Sequence, residues 1–192
     1  MLKTRLLFLL LLIACSETFG VSIHQEQDHV STAALADLGG PLEPKGLWKG
    51  KQILLSNVTE QIVDRRWNEN NRQTLSTVTP LADTRTDFAL RAKTACAIKR
   101  RFKALVPYKL ISIKNGKKNS NQGEQWDNFD QKYPNAYGYL SFSRPGYNSS
   151  HSEALLYVEH ACAGLCGSGH LYFLQKQKGH WRVVNKQLFW IS

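Results

Sequence analysis

The sequence predicts an α+β fold in which N-terminal helices pack on a C-terminal antiparallel β-meander of about four to five strands. Three observations carry that expectation. Up to about Leu105 apolar residues recur at helical spacing, whereas from Tyr137 onward they alternate. The alternating segments are joined by short links, which favours antiparallel neighbours. A chain of 192 residues, 42% hydrophobic and 21% charged with five Trp, has the composition of one globular domain with a tail.

Residues 1–14 read as a signal peptide. Lys3 and Arg5 precede the eight-residue apolar run Leu6–Ile13, which spans only about 12 Å as helix against a ~30 Å hydrocarbon core. Leu12-Ile13-Ala14-Cys15 resembles the lipobox of bacterial lipoproteins, which implies that Cys15 is acylated and becomes the new N-terminus. Ordinary cleavage after Ser16 or Gly20 is the alternative. Export implies an oxidising compartment for the remaining cysteines. Asn57-Val-Thr and Asn148-Ser-Ser are glycosylation sequons, set aside behind a lipobox.

Residues 15–45 read as a lipid-anchored polar tether ending in Gly39-Gly40-Pro41, with one short helix at 29–37, and 46–192 as the folded domain. His24 and His29 read as solvated residues of that tether. Ile53 to Trp67 places Leu54, Val58 and Ile62 at helical spacing, and the polar residues up to Pro80 form a connection. Thr86-Asp87 looks like a helix start, and Phe88, Ala92, Ala95, Ile98, Phe102 and Leu105 share an arc, so a helix is expected over 87–105. Pro107 ends it. Tyr108–Ile113 then suggests a strand before an Asn115-Gly116 turn. Asn121 and Glu124 mark the start of a short helix with Trp126, Phe129 and Tyr133 on one face. Four strands follow, Tyr137–Ser143, Glu153–His160, Gly169–Lys176 and Trp181–Ile191, the last two joined at Lys178-Gly179.

The closing residues Gly179-His-Trp181-Arg-Val183 and Phe189-Trp-Ile-Ser192 resemble the end of a family of small exported bacterial proteins of unassigned activity. Cys162-Ala-Gly-Leu-Cys166-Gly and Ser141-Phe-Ser-Arg-Pro-Gly-Tyr-Asn148 add to that resemblance, which covers about residues 126–192 and implies no catalytic residues. The Gly-x-Trp-x-Val hairpin is also similar to the last hairpin of cystatin-like and NTF2-like folds.

Charge is concentrated. Between Arg85 and Lys118 stand eleven basic residues and one acid, Asp87, whereas the whole chain carries a net +10. Arg91, Lys93, Lys99, Arg100, Arg101 and Lys103 thus form a candidate anion-binding patch for an envelope component, or else a solvated face. Nucleic acid fits poorly, because export is expected and no nucleic-acid motif is present. Within this segment Cys96 reads as an inert buried thiol or a cation-activated one, and as the odd thiol once Cys15 is acylated.

The most specific constellation is His160-Ala-Cys162-Ala-Gly-Leu-Cys166-Gly-Ser-Gly-His170. Three readings stand. Cys162 and Cys166 form a disulfide; His160, Cys162, Cys166 and His170 hold zinc; or both thiols are free. No hydrolase, metalloprotease, Walker or dinucleotide motif occurs, and the acid pair Asp127 and Asp130 is more simply a solvated helix face. The sequence therefore points to a binding or interaction module without a cofactor, anchored at a membrane of the cell envelope. A metal- or thiol-dependent enzyme at the cysteine loop is the alternative.

Overall fold

Ile53-Leu54-Leu55-Ser56 is buried at every position. A continuous apolar run of that length suits a strand covered on both faces better than a helix, whose outer stripe would meet water. In the computed structural model, which describes residues 22–37, 51–61, 80–98, 107–113, 122–164 and 166–192, this run is indeed a strand. The helix expected from Ile53 is corrected accordingly; its remainder, from 62 on, lies outside the described residues.

In chain order the elements are α1 (Ser22–Asp37), β1 (Ile53–Ser56), α2 (Ala82–Arg91), β2 (Tyr108–Ile111), α3 (Gln122–Lys132), β3 (Tyr139–Phe142), β4 (Gly146–Tyr147), β5 (Glu153–Ala161), β6 (Ser168–Gln177) and β7 (His180–Ile191). The fold is α+β, with a mixed sheet ordered β2-β1-β3-β5-β6-β7 and β4 paired to β5. β1 runs parallel to β2 and β3. β3, β5, β6 and β7 form the expected antiparallel meander. The β6–β7 link is a two-residue turn at Lys178-Gly179, both with positive φ, the geometry that matches strand twist.

Two helices differ from expectation. α2 starts at Ala82 and ends at Arg91, far short of Leu105. Beyond it the backbone leaves the helical path to pair with the chain after β1: Thr59 N–H donates to the Cys96 carbonyl at 2.8 Å, Ile98 N–H to the Asn57 carbonyl at 2.6 Å, and Cys96 N–H to Thr59 Oγ1 at 2.7 Å. Tertiary hydrogen bonding overrides the local helical pattern there; residues 99–105 lie outside the described residues. Where a tether is expected, α1 instead enters the core, with Val30, Ala34 and Leu35 essentially fully buried. Burying Val30 and Leu35 stabilises the docked helix by about 1.5–3 kcal/mol each.

The helices cover opposite faces of the sheet. Val30, Ala34 and Leu35 pack with Leu140, Phe142, Leu156, Tyr172, Leu174 and Trp181. On the other face Phe88 and Ala92 of α2 pack with Leu155, Tyr157, Leu171 and Phe173. The division follows the strand period, since Leu155 and Leu156 point to opposite faces. α2 comes so close to β4 that a Cβ at Gly146 would overlap the Phe88 backbone.

Candidate functional site

The side chains of α1 at 29, 32, 33, 36 and 37 form a stripe beside the one that enters the core, the i, i+3, i+4 spacing of one helix flank. His29, Thr32, Ala33, Ala36 and Asp37 face Gly179, His180, Trp181, Arg182 and Val183 across an open groove of about 740 Å³. That volume falls in the ~300–1,000 Å³ range of ligand sites. Small side chains at Ala33 and Ala36 leave the space. Trp181 is 7% exposed, its ring 6.0 Å from that of Tyr147 and 5.3 Å from Lys176 Nζ. Among the described residues its buried indole N–H has no hydrogen-bond partner, an omission that costs about 1–3 kcal/mol unless water or a ligand supplies an acceptor. Sequence reasoning missed this site because the α1 half of it was read as tether. The available signal was Val30, Ala33, Ala34 and Leu35, an apolar i, i+3, i+4, i+5 pattern.

The cysteine loop is closed. Cys162 and Cys166 are joined by a disulfide with Cα atoms 5.8 Å apart, inside the range such bonds span. In this arrangement the two sulfurs are bonded to each other rather than offered to a metal. Among the described residues no group of three or more His, Cys, Asp or Glu is arranged to hold a metal. His160 is turned inward, its Nε2 donating to the Tyr137 carbonyl at 2.6 Å while Nδ1 lies 4.0 Å from Cys162 Sγ. His170 is on the same face of the sheet, paired across β5 with Val158. Burial, with smaller contributions from Lys186 and His160, pushes its pKa down to about 4, so it is neutral at pH 7.

On the opposite face the loop is braced from the C-terminus. Trp190 Nε1 donates to Tyr157 Oη at 2.6 Å, and that hydroxyl donates to Glu159 Oε2 at 2.9 Å. A Cβ at Gly169 would overlap both the indole nitrogen and the hydroxyl, so only glycine admits the arrangement. Burial, then the Glu159 and Glu60 carboxylates, raise the Tyr139 hydroxyl above its ordinary pKa. Tyr139 in turn stacks with Trp126, and Phe129 and Tyr133 complete this aromatic cluster. Asp127 and Asp130 lie on the exposed side of α3.

The other expected sites fare unevenly. Arg91 is drawn out of the basic patch: its guanidinium pairs with Asp87 at 2.8 Å and lies 5.7 Å over the Tyr147 ring. Lys93 is exposed, while Lys99, Arg100, Arg101 and Lys103 lie outside the described residues, as does the lipidation candidate Cys15. Cys96 is not a free thiol but disulfide-bonded. Asn148 is 3% exposed, its amide donating to Ser150 and Ser152, which leaves no room for a glycan in the folded chain. No described helix is long and apolar enough to cross a membrane. Comparison with protein-family models, with curated proteins and with solved structures found no match to this chain.

Proposed function

We propose that the protein is an exported binding module of the cell envelope, held to a membrane by a lipid on Cys15, with the groove between α1 and the β6–β7 hairpin as its binding site. The groove is the observation that carries this reading. It is of ligand size, and Ala33, Ala36, Trp181 and Val183 share its lining with the polar His29, Thr32, Asp37, His180 and Arg182. The short apolar leader and lipobox support export and anchoring, and a disulfide on a hairpin loop suits an oxidising compartment.

The oxidised state of Cys96 favours a second reading. With Cys162 and Cys166 paired to each other, Cys15 is the one other cysteine in the chain. A sulfur that carries a lipid has no thiol to offer Cys96, so anchoring and an intrachain bond exclude each other. The second reading is an exported protein that keeps Cys15 as a disulfide partner and is not anchored.

Membrane fractionation of the native protein with intact-mass measurement separates the two. The anchored protein carries the mass of its acyl chains, and Cys15→Ser releases it from the membrane. After denaturation without reduction, monomer of the anchored form takes up one alkylating group at Cys96, and the crosslinked form takes up none. Equal membrane association of wild type and Cys15→Ser contradicts the anchor.

A further inference from the structure

Resting on the reading of the groove as a binding site, we infer that its ligand is an organic anion with an apolar body. The body is specified by the walls. Ala33 and Ala36 on α1 face Val183 and the Trp181 ring on β7, so a hydrocarbon or aromatic segment laid between them leaves water on both sides. The sign of the head group follows from the charges at the hairpin. Lys176, Lys178, His180 and Arg182 fall within seven residues that contain no acid. His180 and Arg182 line the groove and are exposed. Across from them stands His29, also exposed.

Among the described residues neither Arg182, His180 nor His29 has an ion-pair or hydrogen-bond partner. Asp37 is the one acid in the wall; it has a partner within the protein, while its buried Oδ2 makes no hydrogen bond. With Arg182 in the wall and Lys176 and Lys178 beside it on the hairpin, full cations outnumber that one carboxylate, and a carboxylate or similar oxyanion is the complementary head group. A cation of the same size meets uncompensated like charge instead.

The test compares three probes with one apolar body: octanoate, 1-octanol and octylammonium, each titrated into the full folded protein by calorimetry at low salt. Octanoate is expected to bind about fivefold more tightly than 1-octanol, the most that a rim-exposed charge pair supplies, with octylammonium weakest. The advantage of octanoate shrinks as salt is raised, because the rim charges are screened. Arg182→Gln, an exposed position outside the core, removes most of the advantage of octanoate over 1-octanol, whereas Arg182→Lys retains it. Ala33→Leu with Ala36→Leu fills the groove and abolishes binding of all three probes, with an unchanged circular dichroism spectrum showing that the fold is kept.

Equal binding of all three probes, blocked by the filling substitutions, overturns the anion inference and leaves the groove as the binding site. Tightest binding of octylammonium overturns it as well. If no octyl probe binds, or if binding survives the filling substitutions in a folded protein, the groove reading itself falls.

Discussion

On one face of the sheet α1 rests on apolar contacts, with Val30, Ala34 and Leu35 buried against the meander. On the other, α2 is tied down by directional polar bonds. Glu153 Oε2 accepts from Leu81 N–H at 2.9 Å and from Thr84 Oγ1 at 3.2 Å. Asp87 Oδ2 accepts from Tyr147 N–H at 2.8 Å, and Asp83 Oδ2 from the backbone and hydroxyl of Ser149 at 2.9 and 3.0 Å. Apolar burial is non-directional, and Val30, Ala34 and Leu35 seat α1 by it, with Asp28, Thr32 and Asp37 of the same helix also engaged. A helix held by several oriented carboxylates has one position. The groove lies beside the first helix.

The largest expected effect tests the apolar side. Leu35→Ala should destabilise the protein by about 2–5 kcal/mol, because a fully buried leucine leaves a cavity. Urea denaturation measures this. A change within about 0.5 kcal/mol is what a solvated tether residue gives, and it would detach α1 from the core.

A smaller loss is expected on the polar side. Glu153→Ala leaves the Leu81 N–H and the Thr84 hydroxyl without their acceptor and should cost about 1–2 kcal/mol, less than a buried pair because part of the network meets water. The same denaturation series reads it. An effect as large as that of Leu35→Ala would erase the distinction between the two faces.

Acid should separate them again. His170 lies on the α1 face with its pKa lowered from 6.5 to about 4. Between those values the unfolded chain binds a proton that the folded chain does not, so stability falls as pH drops from about 6.5 to about 4. Discounted for the partial exposure of the ring, the loss is on the order of 1 kcal/mol. The α2 face responds later, since the backbone and then the hydroxyl of Ser149 hold the Asp83 carboxyl below its ordinary 3.8. Those bonds are lost only as pH falls through that lower value. Melting temperatures at pH 7 and pH 5 should differ in the wild type and converge in His170→Asn. An unchanged pH dependence in that variant would remove His170 from the account.

The same contrast explains how much of the molecule was legible in the sequence. β5, β6 and β7 were readable to within a residue or so from apolar runs of strand length and the turn at Lys178-Gly179, although β5 is buried over five consecutive residues and the β6–β7 register shifts twice. The pairing of Cys162 with Cys166 was one of three open readings, since four residues of separation on a loop do not distinguish a bond from a metal site. The first half misled where tertiary contacts overrode period. Ile53-Leu54-Leu55 reads as helix or strand equally well until its burial on both faces is known. The arc from Phe88 to Leu105 continues past Arg91 only on paper, since Cys96 and Ile98 find backbone partners at Thr59 and Asn57. The groove was the least legible feature, because half of it is built by residues whose polarity suggested a tail.

Two indole groups mark the two faces and give the most direct test of the groove. Trp181 lines the groove with an N–H that has no hydrogen-bond partner among the described residues, and Trp190 donates its N–H to Tyr157 on the opposite face. In a ¹H–¹⁵N spectrum, assigned with Trp181→Phe and Trp190→Phe, octanoate titration should move the Trp181 indole signal progressively to saturation and leave that of Trp190 in place. A Trp181 signal that stays fixed at saturating probe, or a Trp190 signal that moves in its stead, would contradict the placement of the binding site between α1 and the β6–β7 hairpin.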